Sequence, residues 1–374
     1  MIFKNGKVFY KGRFCNLTVK TAGDKIEKVA EEITDNDEVI DCTDMLVIPG
    51  IIDIHTHACR GYDFSTASKD EMKKMCEFYA DNGETSVVAT GMTLSMESLM
   101  DSYTKMGEII REKPKGAKVV GINMEGPYIS SEFKGCHDTQ YIMPPTLEHY
   151  RKLQEACGNK IKLVDLSPCY EGAMDFIREV KDETTVSIAH TPATYEECLE
   201  AIEAGATNIT HLYNAMTGLH HRKPGVVGAA FDTDVTAEMI CDGFHVHPAV
   251  IRSTFKVMGD RIALVSDSMS AAGMPDGQYE LGGLEVFVKD GKATLANGTI
   301  AGSTITTYKG MRNVVKFGVP LEAAVKSATE IPARAIKMDD QIGKIEEGMT
   351  ADIVLLDKDT LDIRKVIIDG KIYK

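Results

Sequence analysis

Between Ile51 and Asp267 short apolar runs alternate with longer amphipathic stretches. The runs are IIDIHTH (51–57), TSVVATG (85–91), KVVGINME (118–125), IKLVDLSP (161–168), TVSIAH (185–190), TNITH (207–211), AEMICDG (237–243) and IALVSD (262–267). Their length and apolar content predict buried strands. The segments between them, such as SKDEMKKMCEFYADNG and TYEECLEAIEAG, are amphipathic and end in Gly, as helices often do. Eight such strand–helix units predict a (β/α)8 TIM-type barrel. The sixth unit is weak, because GVVGAAF makes a poor helix by pattern.

The two ends of the chain read differently. MIFKNGKVFYKG places Asn-Gly between two short runs, a hairpin signal, and VIIDGKIYK turns at Asp-Gly. The expectation is a small β-sandwich domain built from residues 1–48 plus 345–374, around a barrel of residues 49–344. After the eighth strand, GQYELGGLEVFVKDGKATLANG predicts a β-hairpin insertion near 278–300.

The strand ends carry the chemistry. The first ends in His55 and His57, the third in Glu125, the fifth in His190, the sixth in His211 and the eighth in Asp267. In a parallel barrel the C-terminal strand ends form the active site, so these groups converge on one mouth. Period-two alternation points Asp53, His55 and His57 one way and Ile52, Ile54 and Thr56 the other. Four imidazoles and two carboxylates suit zinc, iron or a similar divalent ion. A lone strand-end histidine is usually structural, but six such groups in one barrel mouth are hard to explain as core, where unmatched polar groups cost several kcal/mol.

Charge narrows the partners. The chain of 374 residues has 42 basic and 56 acidic side chains, a formal net charge of −14. Such a surface repels nucleic acid and anionic lipid. An anionic ligand would therefore need a local basic patch, and His220, His221, Arg222 and Lys223 form one just after the sixth strand. Arg222 is suited to gripping a phosphate with paired N–H donors. The nine cysteines show no CxxC pair and read as reduced thiols. The N-terminus lacks a signal-peptide core and no run reaches the ~20 apolar residues of a membrane span. The expectation is a cytoplasmic protein.

PGIIDIHTH followed by the later strand-end groups resembles the amidohydrolase superfamily of metal-dependent barrels. MEGPYIS, KGCHDTQYI, SIAHTPATYEE, THLYNAMTGLHHRKPG, CDGFHVHP and LVSDSMSAAGMPDGQY resemble, more narrowly, the N-acetylglucosamine-6-phosphate deacetylase family. That resemblance implies a principal metal on Glu125, His190 and His211, and Asp267 as catalytic acid/base. It implies a second ion on His55 and His57, so one or two ions per subunit. It assigns His137 and His245 to the sugar phosphate, His137 also to the reacting carbonyl, and Asn214, Ala215, His221 and Arg222 to the substrate. Arg222 is expected to reach a neighbouring active site in a homodimer. Cys136, beside His137, reads as an inert neighbour, and His247 as structural. The implied reaction removes the N-acetyl group from N-acetylglucosamine 6-phosphate. Alternatives are the galactosamine epimer, a cyclic-amide hydrolase, or a barrel that binds without catalysis. Glu125 stands where cyclic-amide relatives commonly carry a carboxylated lysine, and the intact ligand set disfavours a barrel that only binds.

Overall fold

A computed structural model describes residues 1–374. Eight parallel strands stand side by side in chain order: β1 (Ile51–Thr56), β2 (Glu84–Gly91), β3 (Lys118–Glu125), β4 (Ile161–Leu166), β5 (Thr185–Ile188), β6 (Asn208–Ile209), β7 (Thr236–Ile240) and β8 (Ile262–Val265). The edge between the eighth and first strands is bridged just past β8, where the Asp267 N–H donates to the His55 carbonyl at 2.9 Å. The fold is the expected barrel.

The connecting helices are α1 (Lys69–Asp81), α2 (Met96–Glu112), α3 (Leu147–Ala156), α4 (Ala173–Val180), α5 (Tyr195–Ala204), α6 (Gly225–Asp232) and α7 (Pro248–Met258). They are followed by α8 (Thr307–Lys316), α9 (Leu321–Ala328) and α10 (Glu330–Ala335). Capping boxes start α1 and α5, with Ser68 facing Glu71 and Thr194 facing Glu197. The GVVGAAF segment does form a helix, α6. Its residues from Gly225 to Ala230 are all buried, so it has no polar face from which a periodic signal could arise. No helix is long and apolar enough to cross a membrane.

Both chain ends build a sandwich of two sheets. One holds Ile363–Ile368, Ile353–Asp357, Met45–Pro49, Lys7–Tyr10 and Arg13–Asn16, with Lys371–Ile372 at its edge. The other holds Lys25–Ala30, Thr18–Ala22, Ile2–Lys4 and Val39–Asp41. Phe3, Val8, Val19, Ile26, Val47 and Leu355 fill the space between them. The Asp369-Gly370 turn joins paired strands as expected, with positive φ at both residues. The Asn5-Gly6 hairpin does not form. Ile2–Lys4 and Lys7–Tyr10 lie in different sheets, and Gly6 marks the crossing, where an added Cβ would meet Cys42 Cβ at 2.7 Å. The hairpin closes instead at Lys11-Gly12, joining Lys7–Tyr10 to Arg13–Asn16. The insertion after β8 is a three-stranded antiparallel sheet of Gly277–Leu281, Leu284–Lys289 and Lys292–Thr294.

Candidate active site

Strict alternation along β1 is broken by a bulge. Asp53 and Thr56 pair with Val87 and Ala89, so three steps on β1 match two on β2. Ile52 and Ile54 join the inner apolar cluster with Val88 and Leu163. The extra residue lets His55 join His57 at the barrel mouth. Asp53 accepts from the Ser266 N–H at 3.3 Å and feels the charge of Glu84, away from the histidines. The expectation that Asp53 shares their face is therefore corrected.

His190, His211 and Asp267 each stand two residues beyond the last residue of their strand, and each adopts a positive φ, of 42°, 28° and 47°. Non-glycine residues seldom occupy this region, and when they do they cluster at functional sites. The turns aim His190 and His211 at Glu125, the terminal residue of β3, and Asp267 at His57. Glu125 Oε1 lies 3.1 Å from His190 Nε2 and 3.2 Å from His211 Nε2. Glu125 Oε2 lies 3.0 Å from His57 Nε2 and 3.4 Å from His137 Nε2. Asp267 Oδ1 is 3.4 Å from His57 Nε2.

These groups line a cavity of about 370 Å³ with Asn214, Ala215, His245, Cys136, Leu281 and Ile300. His221 and Arg222 do not line it. They are exposed, with Arg222 Nη1 2.6 Å from His221 Nε2. His245 is held by Asp242, whose Oδ2 is 2.7 Å from Nδ1. His247 caps α7 by accepting the Ala249 N–H, a structural role. Burial pushes the Cys136 thiol up to about 12, so it stays protonated.

The donor set fits a divalent cation. His190 Nδ1 is 2.7 Å from the Phe133 carbonyl, so it carries the proton and leaves the Nε2 lone pair free. That lone pair faces His211 Nε2 at 3.0 Å and the Glu125 carboxylate. His55 Nε2 and His57 Nδ1 are buried without any hydrogen-bond partner. Burial alone would keep His57 neutral, but Glu125 and Asp267 outweigh it and raise its pKa to about 10. Burial likewise opposes charge on Asp267, and the His57 contact outweighs it, bringing the carboxyl down to about 2. The carboxylates thus demand positive charge at the imidazole nitrogens. Protons satisfy that demand in one way, and a divalent ion on N and O donors satisfies it in another. Three triads of ligand atoms each lie within 4.8 Å of one another: His55, His57 and Asp267; Glu125, His137 and His190; and His55, Glu125 and Asp165.

His137 differs from the others. Burial drives its pKa down to about 4, so it is neutral at pH 7. Its Nδ1 faces the Thr93 N–H at 3.3 Å and the Thr93 hydroxyl at 2.8 Å. Nδ1 therefore accepts, and Nε2 carries a proton that points into the cavity. Thr93 escapes a reading based on ligand residue types, because its role is to set another residue's tautomer.

A model of the amidohydrolase family matches residues 46–373. The N-acetylglucosamine-6-phosphate deacetylase of Vibrio furnissii is 36% identical over 329 residues, 87% of this chain and 82% of that protein. The N-acetylgalactosamine-6-phosphate deacetylase of Escherichia coli O157:H7 is 33% identical over 350 residues, 93% of this chain and 91% of that one. A solved structure of a mutant N-acetyl-D-glucosamine-6-phosphate deacetylase from Mycobacterium smegmatis, in complex with N-acetyl-D-glucosamine-6-phosphate, superposes with a TM-score of 0.93 at 31% identity, covering 100% of this chain and 99% of that one. With the barrel, the mouth cluster and these likenesses together, the chain belongs to the amidohydrolase family, in the branch that holds the N-acetylglucosamine-6-phosphate deacetylases.

Proposed function

We propose that the chain hydrolyses the acetamide of N-acetylglucosamine 6-phosphate, giving acetate and glucosamine 6-phosphate. The observation that carries this reading is the convergence of Glu125, His190, His211 and Asp267 on one cavity whose buried donors call for a cation. Glu125, His190 and His211 would hold the principal divalent ion, zinc or iron by its ligand types, and His55 and His57 a second. Such an ion supplies Lewis-acid polarisation and a water activated near neutral pH.

Asp267, held ionised, takes the proton of the attacking water. Water oxygen bonds to the acetyl carbon as the carbonyl oxygen gains negative charge. His137 donates its Nε2–H to that oxygen, a contact that strengthens as charge develops. Asp267 then returns its proton to the amine nitrogen as the C–N bond breaks. Asn214, Ala215 and His245 line the same cavity and position the sugar. His221 and Arg222, exposed on their own subunit, serve the phosphate of a neighbouring subunit in a homodimer. The enzyme works in amino-sugar metabolism in the cytoplasm.

The galacto epimer is a second reading, favoured by the Escherichia coli relative. Acetate release is to be measured with N-acetylglucosamine 6-phosphate, its galacto epimer and unphosphorylated N-acetylglucosamine, with metal content determined on the same sample. The expected order is gluco, then galacto, then the sugar without phosphate, and a chelator stops all three. Faster turnover of the galacto epimer reverses the substrate assignment. Equal turnover without phosphate removes the role of Arg222, and full activity in metal-free protein ends the reading.

A further inference from the structure

Behind His55, on β7, lies a carboxylate that the hydrolysis above does not use. Glu238 is completely buried, and no lysine or arginine pairs with it. Its partners are all donors from the barrel wall. Oε2 is 2.8 Å from His55 Nδ1 and accepts the His211 N–H at 3.4 Å, while Oε1 accepts Asn208 Nδ2 at 2.9 Å. Asn208 Nδ2 also reaches Ser187 Oγ at 3.0 Å, Ser187 Oγ meets Thr210 Oγ1 at 2.6 Å, and Thr210 donates to Asp165 Oδ1 at 2.9 Å. A polar layer thus crosses the barrel beneath the mouth and ends on one imidazole nitrogen.

The consequence is a fixed tautomer. Both Glu238 oxygens already accept N–H donors, from Asn208 and His211, so Glu238 accepts from His55 as well: Nδ1 carries the proton and Nε2 is left facing the mouth. That Nε2 atom is buried without a partner, 3.5 Å from Glu125 Oε1 and 3.7 Å from Asp267 Oδ1. A bare lone pair facing two carboxylates is repulsive; a proton on Nε2 or a divalent ion among the three groups relieves it.

We propose that Glu238 is a positioning residue for the second cation: by accepting His55 Nδ1–H it aims the Nε2 lone pair at the mouth, so that His55 and His57 can hold a divalent ion. The inference rests on the metal-centre reading above. Partners of this kind raise ligand basicity and lock the ring, and their loss lowers metal affinity about 10- to 100-fold.

The test is zinc titration of the full chain by calorimetry, with bound metal counted by elemental analysis, in the parent, Glu238→Leu and Glu238→Gln. Leu removes the acceptor at similar volume. Gln keeps an acceptor oxygen for His55 once Asn208 turns its amide, but loses the charge. The parent is expected to take two ions. Leu should keep the tighter ion within about threefold and weaken the other about 100-fold, and Gln should weaken it about tenfold. Loss confined to one ion separates positioning from general loosening, which would weaken both. Parent-like binding of both ions in the variants, or an equal fall in both, overturns the role of Glu238 alone. Should Leu fail to fold, parent-like binding in Gln does the same. A parent that binds one ion overturns the inference, and a parent that binds none takes the metal-centre reading with it.

Discussion

Asp267 is the residue on which the proposed chemistry turns. Its carboxylate is half-buried beside His55 and His57, and an amide in its place keeps the shape but cannot carry the proton. Asp267→Asn should keep its fold and bound metal and lose about 10²- to 10⁴-fold in acetate release; turnover near the parent's would show that another group moves the proton. A second residue-scale prediction concerns Glu84, a fully buried carboxyl that opens β2 and faces the first turn of α8. Its Oε1 accepts the Tyr308 N–H at 3.4 Å and its Oε2 has no partner. Burial first, then the charge of Asp53, push its pKa well above the ordinary 4.5. A folded value above the unfolded one gives stability that is complete below 4.5 and is lost as pH rises through the folded value. Glu84→Gln should therefore flatten that loss from weakly acid pH upward, in melting temperatures taken across pH; equal slopes in parent and variant refute it. The strand-end histidines and carboxylates were legible in the sequence because imidazoles and acids are conspicuous at the ends of apolar runs. Asp53 was misread because a bulge leaves no mark in an alternating pattern. Thr93 and Glu238 were invisible, since each acts by fixing which nitrogen of a distant imidazole bears the proton.

At the scale of elements, the pattern of runs predicted all eight strands, yet the observed β6 is only Asn208–Ile209, because the chain turns into the site almost at once. The left-handed turns at His190, His211 and Asp267 have no sequence signal, since no glycine stands at those positions. Helices with one wet face were readable from their periodicity and caps, whereas α6, buried from Gly225 through Ala230, was not. Close approach between elements is equally hidden until packing is seen. Gly107 lies inside α2, where Ala would ordinarily be better by about 1 kcal/mol. Here an added Cβ would sit 2.5 Å from the Cys157 carbonyl oxygen, just past α3. That neighbour is backbone and cannot swing aside. Gly107→Ala should destabilise by about 1–3 kcal/mol, the range for overpacking, in urea unfolding; a variant more stable than the parent would mean that α2 and α3 have room to part.

Across the whole molecule, the question is how a sandwich made from both chain ends bears on a site in the barrel. The strand Met45–Pro49 pairs with Ile353–Asp357 of the far terminus and then runs directly into β1, which carries His55. At the junction the Gly50 N–H donates to the Asp352 carbonyl at 2.9 Å, and a Cβ on Gly50 would fall 2.0 Å from Thr85 Oγ1. A second tie is ionic. Lys118 opens β3, the strand that ends in Glu125, and its Nζ lies 2.7 Å from Asp352 and 2.6 Å from Asp369. Asp352 is almost wholly buried, with 3% of its side chain exposed; burial raises its pKa above 3.8, and Lys118, with the Asp369 N–H at 2.9 Å, works against that rise. Burial works against the ammonium too, but Asp352 and Asp369 outweigh it and raise the Lys118 pKa above 10.5. Its contribution is therefore complete below 10.5 and fades as pH climbs through the higher folded value. Lys118→Met keeps the length of the side chain and strands Asp352 without a counter-charge, a change that typically costs about 3–5 kcal/mol for a buried pair. Unfolding in urea at pH 7 should show that loss, while the double variant with Asp352→Asn should recover much of it. A single variant as stable as the parent would mean that the ion pair adds nothing to the apolar packing and backbone bonds that already join sandwich and barrel.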